Sequence, residues 1–169
     1  MSNPISTTRT VRRLAFTTQR PWDDVLQALH TALGFKAGDP LPWMPQGNTR
    51  EAIEMSVKAR EGPSGLMLFS EILFSTIFNH FLPPGEFQPR VAQLVVGNAL
   101  LAARLYTHNL RVPLLIPPRV VVIELPGEKG VQIVYDVPST VLGNEDEEAK
   151  RTAEEQVDPK FEAMIVSIL

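Results

Sequence analysis

Two β-type segments joined by a short loop constrain the fold of this chain most strongly. Residues 131–137 (VQIVYDV) alternate in the pattern of a strand with one buried face, and residues 119–125 contain the β-branched run Val120–Ile123. The connector PGEKG has the length of a hairpin loop. The pattern therefore predicts a β-hairpin.

Three more segments have strand character. Residues 66–74 (LMLFSEILF) are almost continuously apolar, which predicts a central strand buried on both faces. Residues 90–96 alternate, and Leu14 and Phe16 alternate within residues 9–18, as in a strand near a sheet edge. We expect four segments to lie side by side in one sheet: 66–74, 90–96, 119–125 and 131–137.

Apolar residues at helical spacing predict the second layer of the fold. A helix begins at Pro21 and ends at Gly34, and a shorter helix is capped by Asn48 or Thr49. A third covers residues 99–109, and an amphipathic stretch covers residues 144–169 after a polar loop. There Pro159 either kinks one helix or starts a separate last one.

These elements predict an α/β fold, in which a mixed, mainly antiparallel sheet carries helices on one face. We expect one two-layer domain over residues 1–169, with a flexible N-terminus at 1–8 and extended loops at 36–49 and 78–89.

Composition excludes several kinds of chemistry. The sequence has no cysteine, which excludes disulfides, thiol nucleophiles, iron–sulfur clusters and thiolate zinc sites. Sixteen Lys and Arg against nineteen Asp and Glu give a net charge of −3, so we do not expect a nucleic-acid partner.

The N-terminus lacks a secretory signal, and no apolar run reaches the ~18 residues of a membrane span. We expect a cytoplasmic protein without a membrane partner.

Residues 95–144 resemble the C-terminal half of the DUF302 family. The similar motifs are the Gly97-Asn98-Ala99 turn into a helix, the segment Leu114–Pro117 before Arg119–Val122, and Tyr135–Ser139. The resemblance implies a compact α/β domain, often paired as a homodimer, but implies little chemistry. Many relatives have a cysteine beside the turn where this chain has Gly97-Asn98, so a thiol or metal role does not transfer.

Glu71 is the sharpest candidate for chemistry, because a carboxylate within an apolar strand needs a partner or a proton. It is either a general acid or base, or the partner of an arginine such as Arg104 or Arg119.

The other titratable candidates are weaker. His30, His80 and His108 do not form an HxH or HxxxH pair, so we expect no metal site. Tyr135 and Asp136 point to opposite faces of their strand, so only one of them can enter a given pocket. If Asp136 does not contact a ligand, we expect its carboxylate to accept hydrogen bonds from turn amides. Asn98 is predicted as a helix cap, with ligand contact as the alternative.

A cluster of phenylalanines marks residues 69–87. It is either core, or an apolar ligand pocket or dimer face. Its members are Phe69, Phe74, Phe78, Phe81 and Phe87.

Two functions follow. The first is a small-molecule-binding protein or cofactor-independent enzyme, of the lyase, isomerase or cyclase type, acting on an apolar ligand. Its proton-transfer residues would be Glu71, His80, His108 and Tyr135, and its binding residues Phe74, Phe78, Asn98, Arg119 and Asp136. It requires a closed cavity of roughly 300–1,000 Å³ with at least two titratable groups that point inward. The second is a non-catalytic homodimeric interaction module.

Overall fold

A computed structural model describes residues 6–127, 129–142 and 146–169. In those residues, five strands form one antiparallel sheet with the order β1-β5-β4-β3-β2. The four segments predicted to lie side by side are consecutive neighbours, which confirms the central prediction from the sequence. The strands are β1 (Arg13–Thr18), β2 (Met67–Leu73), β3 (Val91–Gly97), β4 (Arg119–Glu124) and β5 (Val131–Asp136).

Seven α-helices occur in the described residues, and the predicted helices are among them. The ambiguity at Pro159 is resolved, because the chain starts a separate last helix there. The helices are α1 (Trp22–Ala32), α2 (Arg50–Arg60), α3 (Ser75–Phe78), α4 (Ala99–His108), α5 (Pro138–Leu142), α6 (Glu147–Gln156) and α7 (Asp158–Val166), with 3₁₀ turns at Asn79–Phe81 and Val112–Leu114. Among the described residues, no helix has both the length and the apolar character that a membrane crossing requires.

The main core lies between one face of the sheet and the helices. Alternate residues of the strands point to that face, and Leu94, Val122 and Ile133 are completely buried there. They share the core with Leu29 of α1 and Phe161 of α7, which are also completely buried. The predicted α/β arrangement is therefore confirmed.

Strand β2 does not occupy the predicted place. The prediction of a central strand buried on both faces is wrong, because β2 lies at the sheet edge. Met67 is completely buried and Phe69 nearly so, but Ile72 and Leu73 are about 40% exposed. Only the first half of the apolar run is covered by other parts of the chain. There Val57 of α2 packs on Met67 and Phe69, and the Trp43 amide donates to the Phe69 carbonyl at 2.7 Å.

Helix α5 was not predicted, since residues after Pro138 have the composition of a polar loop. Proline fits the first turn of a helix because it lacks the N–H group that would be unpaired there. Asp158 stabilises the helix by accepting hydrogen bonds from the Ser139 amide and hydroxyl, at 3.0 and 2.5 Å. Five residues are too few for an apolar period to show in the sequence.

Of the predicted flexible terminus, residues 1–5 lie outside the described residues.

Candidate ligand cavity

An apolar cavity of about 150 Å³ lies at one end of the sheet, where β3 and β5 end and β4 begins. Leu101 and Leu105 of α4 line one side, and Leu142 of α5 lines another. The expected size is wrong, because this cavity is partly open and its volume is below the roughly 300–1,000 Å³ that the sequence-based hypothesis required. A 150 Å³ apolar cavity is nevertheless large enough to bind benzene. Two titratable residues, Arg119 and Asp136, complete the lining.

Gly97 and two prolines explain why space remains at this position. A Cβ atom on Gly97 would lie 3.4 Å from Pro117 Cβ and 3.6 Å from Phe69 Cε2, within the volume that is now empty. The rim segment is fixed to the sheet, because the Val96 amide donates to the Pro118 carbonyl at 2.9 Å. A glycine at the strand end therefore leaves room for a ligand between fixed walls.

Asn98 fixes the position of α4 against the cavity. Its Oδ1 accepts from the amides of Leu100 at 2.9 Å and Leu101 at 3.4 Å, which confirms the predicted cap. Its Nδ2 donates to Glu61 Oε1 and to the Gly65 carbonyl, both at 3.0 Å. Since both protons of the amide group are engaged, Asn98 positions the wall of the cavity and has no donor to spare for a ligand.

The two charged lining residues differ in their partners. Arg13 on β1 donates to both carboxylate oxygens of Asp136, at 2.7 and 3.1 Å, in place of the expected turn amides. Within residues 6–127, 129–142 and 146–169, the Arg119 side chain has no hydrogen bond or ion pair. Arg119 is thus the charged group of the lining that is free to meet a ligand.

Glu71 has a different partner from either arginine proposed for it. Its Oε2 lies 2.5 Å from His30 Nε2 on α1, and both side chains are mostly buried. The expected pairing with Arg104 or Arg119 is wrong, since Arg104 donates to Gln156 Oε1 at 2.7 Å. The reason is that Glu71 lies opposite Leu94, on the sheet face that α1 covers.

The predicted proton-transfer residues do not gather at one place. His80 is exposed on a 3₁₀ turn, and His108 is exposed at the end of α4. Tyr135 is buried in the core beside the rings of Phe16 and Phe161, and burial raises its pKa, so the hydroxyl stays neutral at neutral pH. None of these three, nor Glu71, lines the cavity, and among the described residues no hydrogen bond or ring contact joins any two of the four.

Most of the phenylalanine cluster lies at the surface. Phe69 packs in the smaller core cluster beside Trp43, with ring centroids 5.7 Å apart, but Phe78 and Phe81 are 56% and 82% exposed. Phe74 stacks on Phe78 with ring centroids 5.1 Å apart, and neither lines the cavity. The core interpretation is therefore wrong for the exposed members. We call this region the aromatic surface: Phe74, Ile77, Phe78, Phe81, Leu82 and Phe87.

No metal centre is apparent in the described residues, because none of their His, Asp and Glu side chains form a group of three or more that could hold an ion.

Comparison with known proteins identifies the family. Residues 47–168 match the family described as "Domain of unknown function DUF302". The chain belongs to DUF302. A solved structure, an uncharacterised conserved DUF302 protein from Bacillus stearothermophilus, is similar over 90% of this chain and 94% of its own, with a TM-score of 0.62 and 15% identity. That likeness shows the fold alone. No curated protein matches this sequence.

The cavity of this DUF302 chain lies entirely within the matched region, since its lining runs from Phe69 to Val157. The sequence pointed to Asn98, Arg119 and Asp136, which the fold brings together there, and its phenylalanine cluster includes one lining residue, Phe69. The other apolar walls, the pairing of Glu71 with His30 and the pairing of Asp136 with Arg13 were not predicted. The spacing of Leu101 and Leu105 marks one helix face, but nothing in the sequence says which element that face meets.

Proposed function

We propose that this DUF302 chain binds a small apolar molecule in the cavity between α4, α5 and the sheet end. The observation that carries the proposal is an apolar, partly open space with fixed walls, at which three residues singled out from the sequence meet. Ligand sites are typically concave and apolar with a few polar groups, and this cavity has that character.

The lining supports binding more than it supports proton transfer. An arginine stays protonated in proteins, so Arg119 is not a base. Asp136 is held by two hydrogen bonds from Arg13. The proposal therefore assigns binding, not turnover, to the cavity.

Two neighbouring alanines of α4 provide a matched test. Ala102 lines the cavity, whereas Ala103 is exposed on the same helix. With benzamide as the probe, the melting temperature should rise for the wild type and for Ala103→Phe, because a ligand that binds only the folded state stabilises it. The phenyl group of Ala102→Phe fills the cavity, so this variant should show no rise. A rise of equal size in Ala102→Phe, or none in the wild type at millimolar benzamide, would contradict the proposal.

A homodimeric interaction module is a second candidate, and the aromatic surface favours it. Phe81, Phe78 and Phe87 are 82%, 56% and 46% exposed, although their burial would be worth roughly 1.5–3 kcal/mol each. Several large apolar side chains exposed within one short segment are typical of protein interfaces. The partner we propose for it is a second copy of the chain.

Sedimentation equilibrium tests this second candidate. Phe81→Ser should shift the chain from dimer to monomer, whereas Leu114→Ser removes an equally exposed apolar side chain (84%) outside the aromatic surface and should leave the dimer intact. A wild type that is monomeric at all concentrations contradicts the homodimer.

A further inference from the structure

We infer that the ligand of the cavity is an organic anion, with a carboxylate that meets Arg119 and an apolar body about the size of one benzene ring. This inference rests on the proposed function and adds the chemical class of the ligand. It follows from the charges of the lining and its surroundings.

The lining carries one uncompensated charge. Asp136 is neutralised by the two hydrogen bonds from Arg13, while Arg119 has no partner among the described residues. The three side chains together have a net charge of +1. A carboxylate would complete this arrangement, because a guanidinium can donate to both carboxylate oxygens at once.

The surroundings of the cavity are also rich in arginine, although the chain has a net charge of −3. Arg9 Nη1 donates to the Val141 carbonyl at 3.3 Å, and the Arg12 backbone bonds to Thr140 Oγ1 and to the Val137 amide. These contacts bring the N-terminal arginines against α5, which forms one wall. Besides Arg119, two further arginines therefore lie close to one wall of the cavity.

Asp158 and Glu61 lie near the cavity but are not part of its lining. Asp158 accepts from the Ser139 amide and hydroxyl, and Glu61 accepts from Asn98 Nδ2. Because these donors are uncharged, they do not cancel the charge of a carboxylate, and the attraction to an anion rests on Arg119, which lines the cavity. An organic cation would meet Arg119 with a like charge, which is unfavourable. A neutral ligand would gain the apolar contacts but not the charge-assisted hydrogen bonds.

The volume limits the apolar part of the ligand. About 150 Å³ accommodates one aromatic ring or an aliphatic chain of similar size. Arg119 is exposed at the start of β4, so the carboxylate would sit at the mouth and the ring would lie against Leu101 and Leu105. Hence a small aromatic or branched aliphatic acid fits best.

Three probes that share one benzene ring and differ in charge test the inference by titration calorimetry: benzoate, benzamide and benzylammonium. Benzoate should bind at least about tenfold more tightly than benzamide, as expected for hydrogen bonds to a charged group. Benzylammonium should bind most weakly. Arg119→Met should remove the preference for benzoate and keep benzamide binding, and Arg119→Lys should restore part of the preference.

The outcomes separate the two levels of the proposal. Equal affinities for benzoate and benzamide, both lost in Ala102→Phe, overturn the anionic ligand and leave the proposed function standing. A benzoate preference that survives in Arg119→Met overturns the role of Arg119. A benzoate preference that survives in Ala102→Phe means that benzoate binds outside the cavity, for example at Arg9 and Arg12, and overturns the inference. If none of the probes binds in a way that Ala102→Phe abolishes, both proposals fail. Ala102→Phe is informative only if the phenyl group packs in the cavity without unfolding the chain. Ala102→Leu therefore serves as a second variant, in which a smaller side chain fills part of the cavity.

Discussion

The His30 Nε2 atom lies 2.5 Å from Glu71 Oε2 and joins α1 to the edge strand β2. The two side chains are 16% and 15% exposed, so the pair is mostly removed from water. Phe35 packs on the His30 ring at 4.7 Å between centroids and also lies under the Arg60 guanidinium at 5.6 Å. The contact closes the core at the sheet edge, which gives Glu71 a structural role.

Removing one member of this pair should destabilise the fold without affecting the cavity. Glu71→Ala and His30→Ala should each lower the free energy of unfolding by about 1–3 kcal/mol, because each leaves a buried polar group without its partner. Urea denaturation measures the loss. The double variant should lose less than the sum of the single variants, since the residues share one interaction. Strictly additive losses, or a loss of benzamide binding in folded Glu71→Ala, would contradict a structural pair.

Asn98→Ala should cost more than the loss of an ordinary helix cap. An exposed cap such as Thr49, which accepts from the Ala52 amide, contributes about 1 kcal/mol. Asn98 also donates to the Gly65 carbonyl and to Glu61, so its removal should cost about 2–3 kcal/mol. Thr49→Ala is the matched control in urea denaturation. Equal losses in the two variants would show that the Nδ2 contacts contribute nothing.

The stability of the chain should depend on pH through Asp158. Burial raises the pKa of this carboxyl above its ordinary value of 3.8, and the hydrogen bonds from Ser139 offset the effect only in part. A raised pKa in the folded state means that the contribution of Asp158 is fully present below pH 3.8 and is lost as the pH rises through the folded-state pKa.

The comparison with Asp158→Asn isolates this effect. The free energy of unfolding of the wild type, relative to that of the variant, should fall as the pH rises above 3.8. Chemical denaturation of both proteins across acidic to neutral pH measures the difference. A difference that is independent of pH, or that grows with pH, would be incompatible with the raised pKa.

Two glycines of the β4–β5 connection should respond very differently to substitution. Gly130 has a φ of +82°, and a Cβ there would lie 1.9 Å from the Thr18 carbonyl oxygen on β1. Gly127 also has a positive φ, of +65°, but its Cβ would meet no atom of the described residues within 4 Å.

Gly127→Ala should therefore cost about 1 kcal/mol from the backbone conformation alone, whereas Gly130→Ala should cost several times more because β1 must move. Thermal unfolding of the two variants provides the comparison. Similar melting temperatures would mean that β1 does not pack against the hairpin as described.

The hairpin and the neighbouring strands were predictable because their signals are local. Along residues 131–136, buried and partly exposed side chains alternate, because the two faces of this strand have different surroundings. Asn98 caps a helix by contacts within three residues of itself. The same local reasoning failed at β2, since an apolar run does not say how much of a strand is covered. Its first half is buried by α2 and Trp43, which precede it in the chain, and the apolar run itself does not encode their packing on it.

The candidate site was predictable only in part for the same reason. Arg119 and Asp136 are adjacent because β4 pairs with β5, which the hairpin pattern implied. The cavity itself depends on how α4 and α5 meet the sheet end, and no local pattern encodes that packing. The exposure of Phe78 and Phe81 was not predictable either, since an apolar residue in a sequence carries no sign of what covers it.

Amide chemical-shift mapping by NMR with benzamide tests the binding site most directly. The account predicts that the largest shift changes occur at the walls of the cavity, around Gly97, Leu101 and Leu115, and that they disappear in Ala102→Phe. Changes confined to the aromatic surface at Ile77–Phe81, or to the neighbourhood of His30 and Glu71, would contradict it.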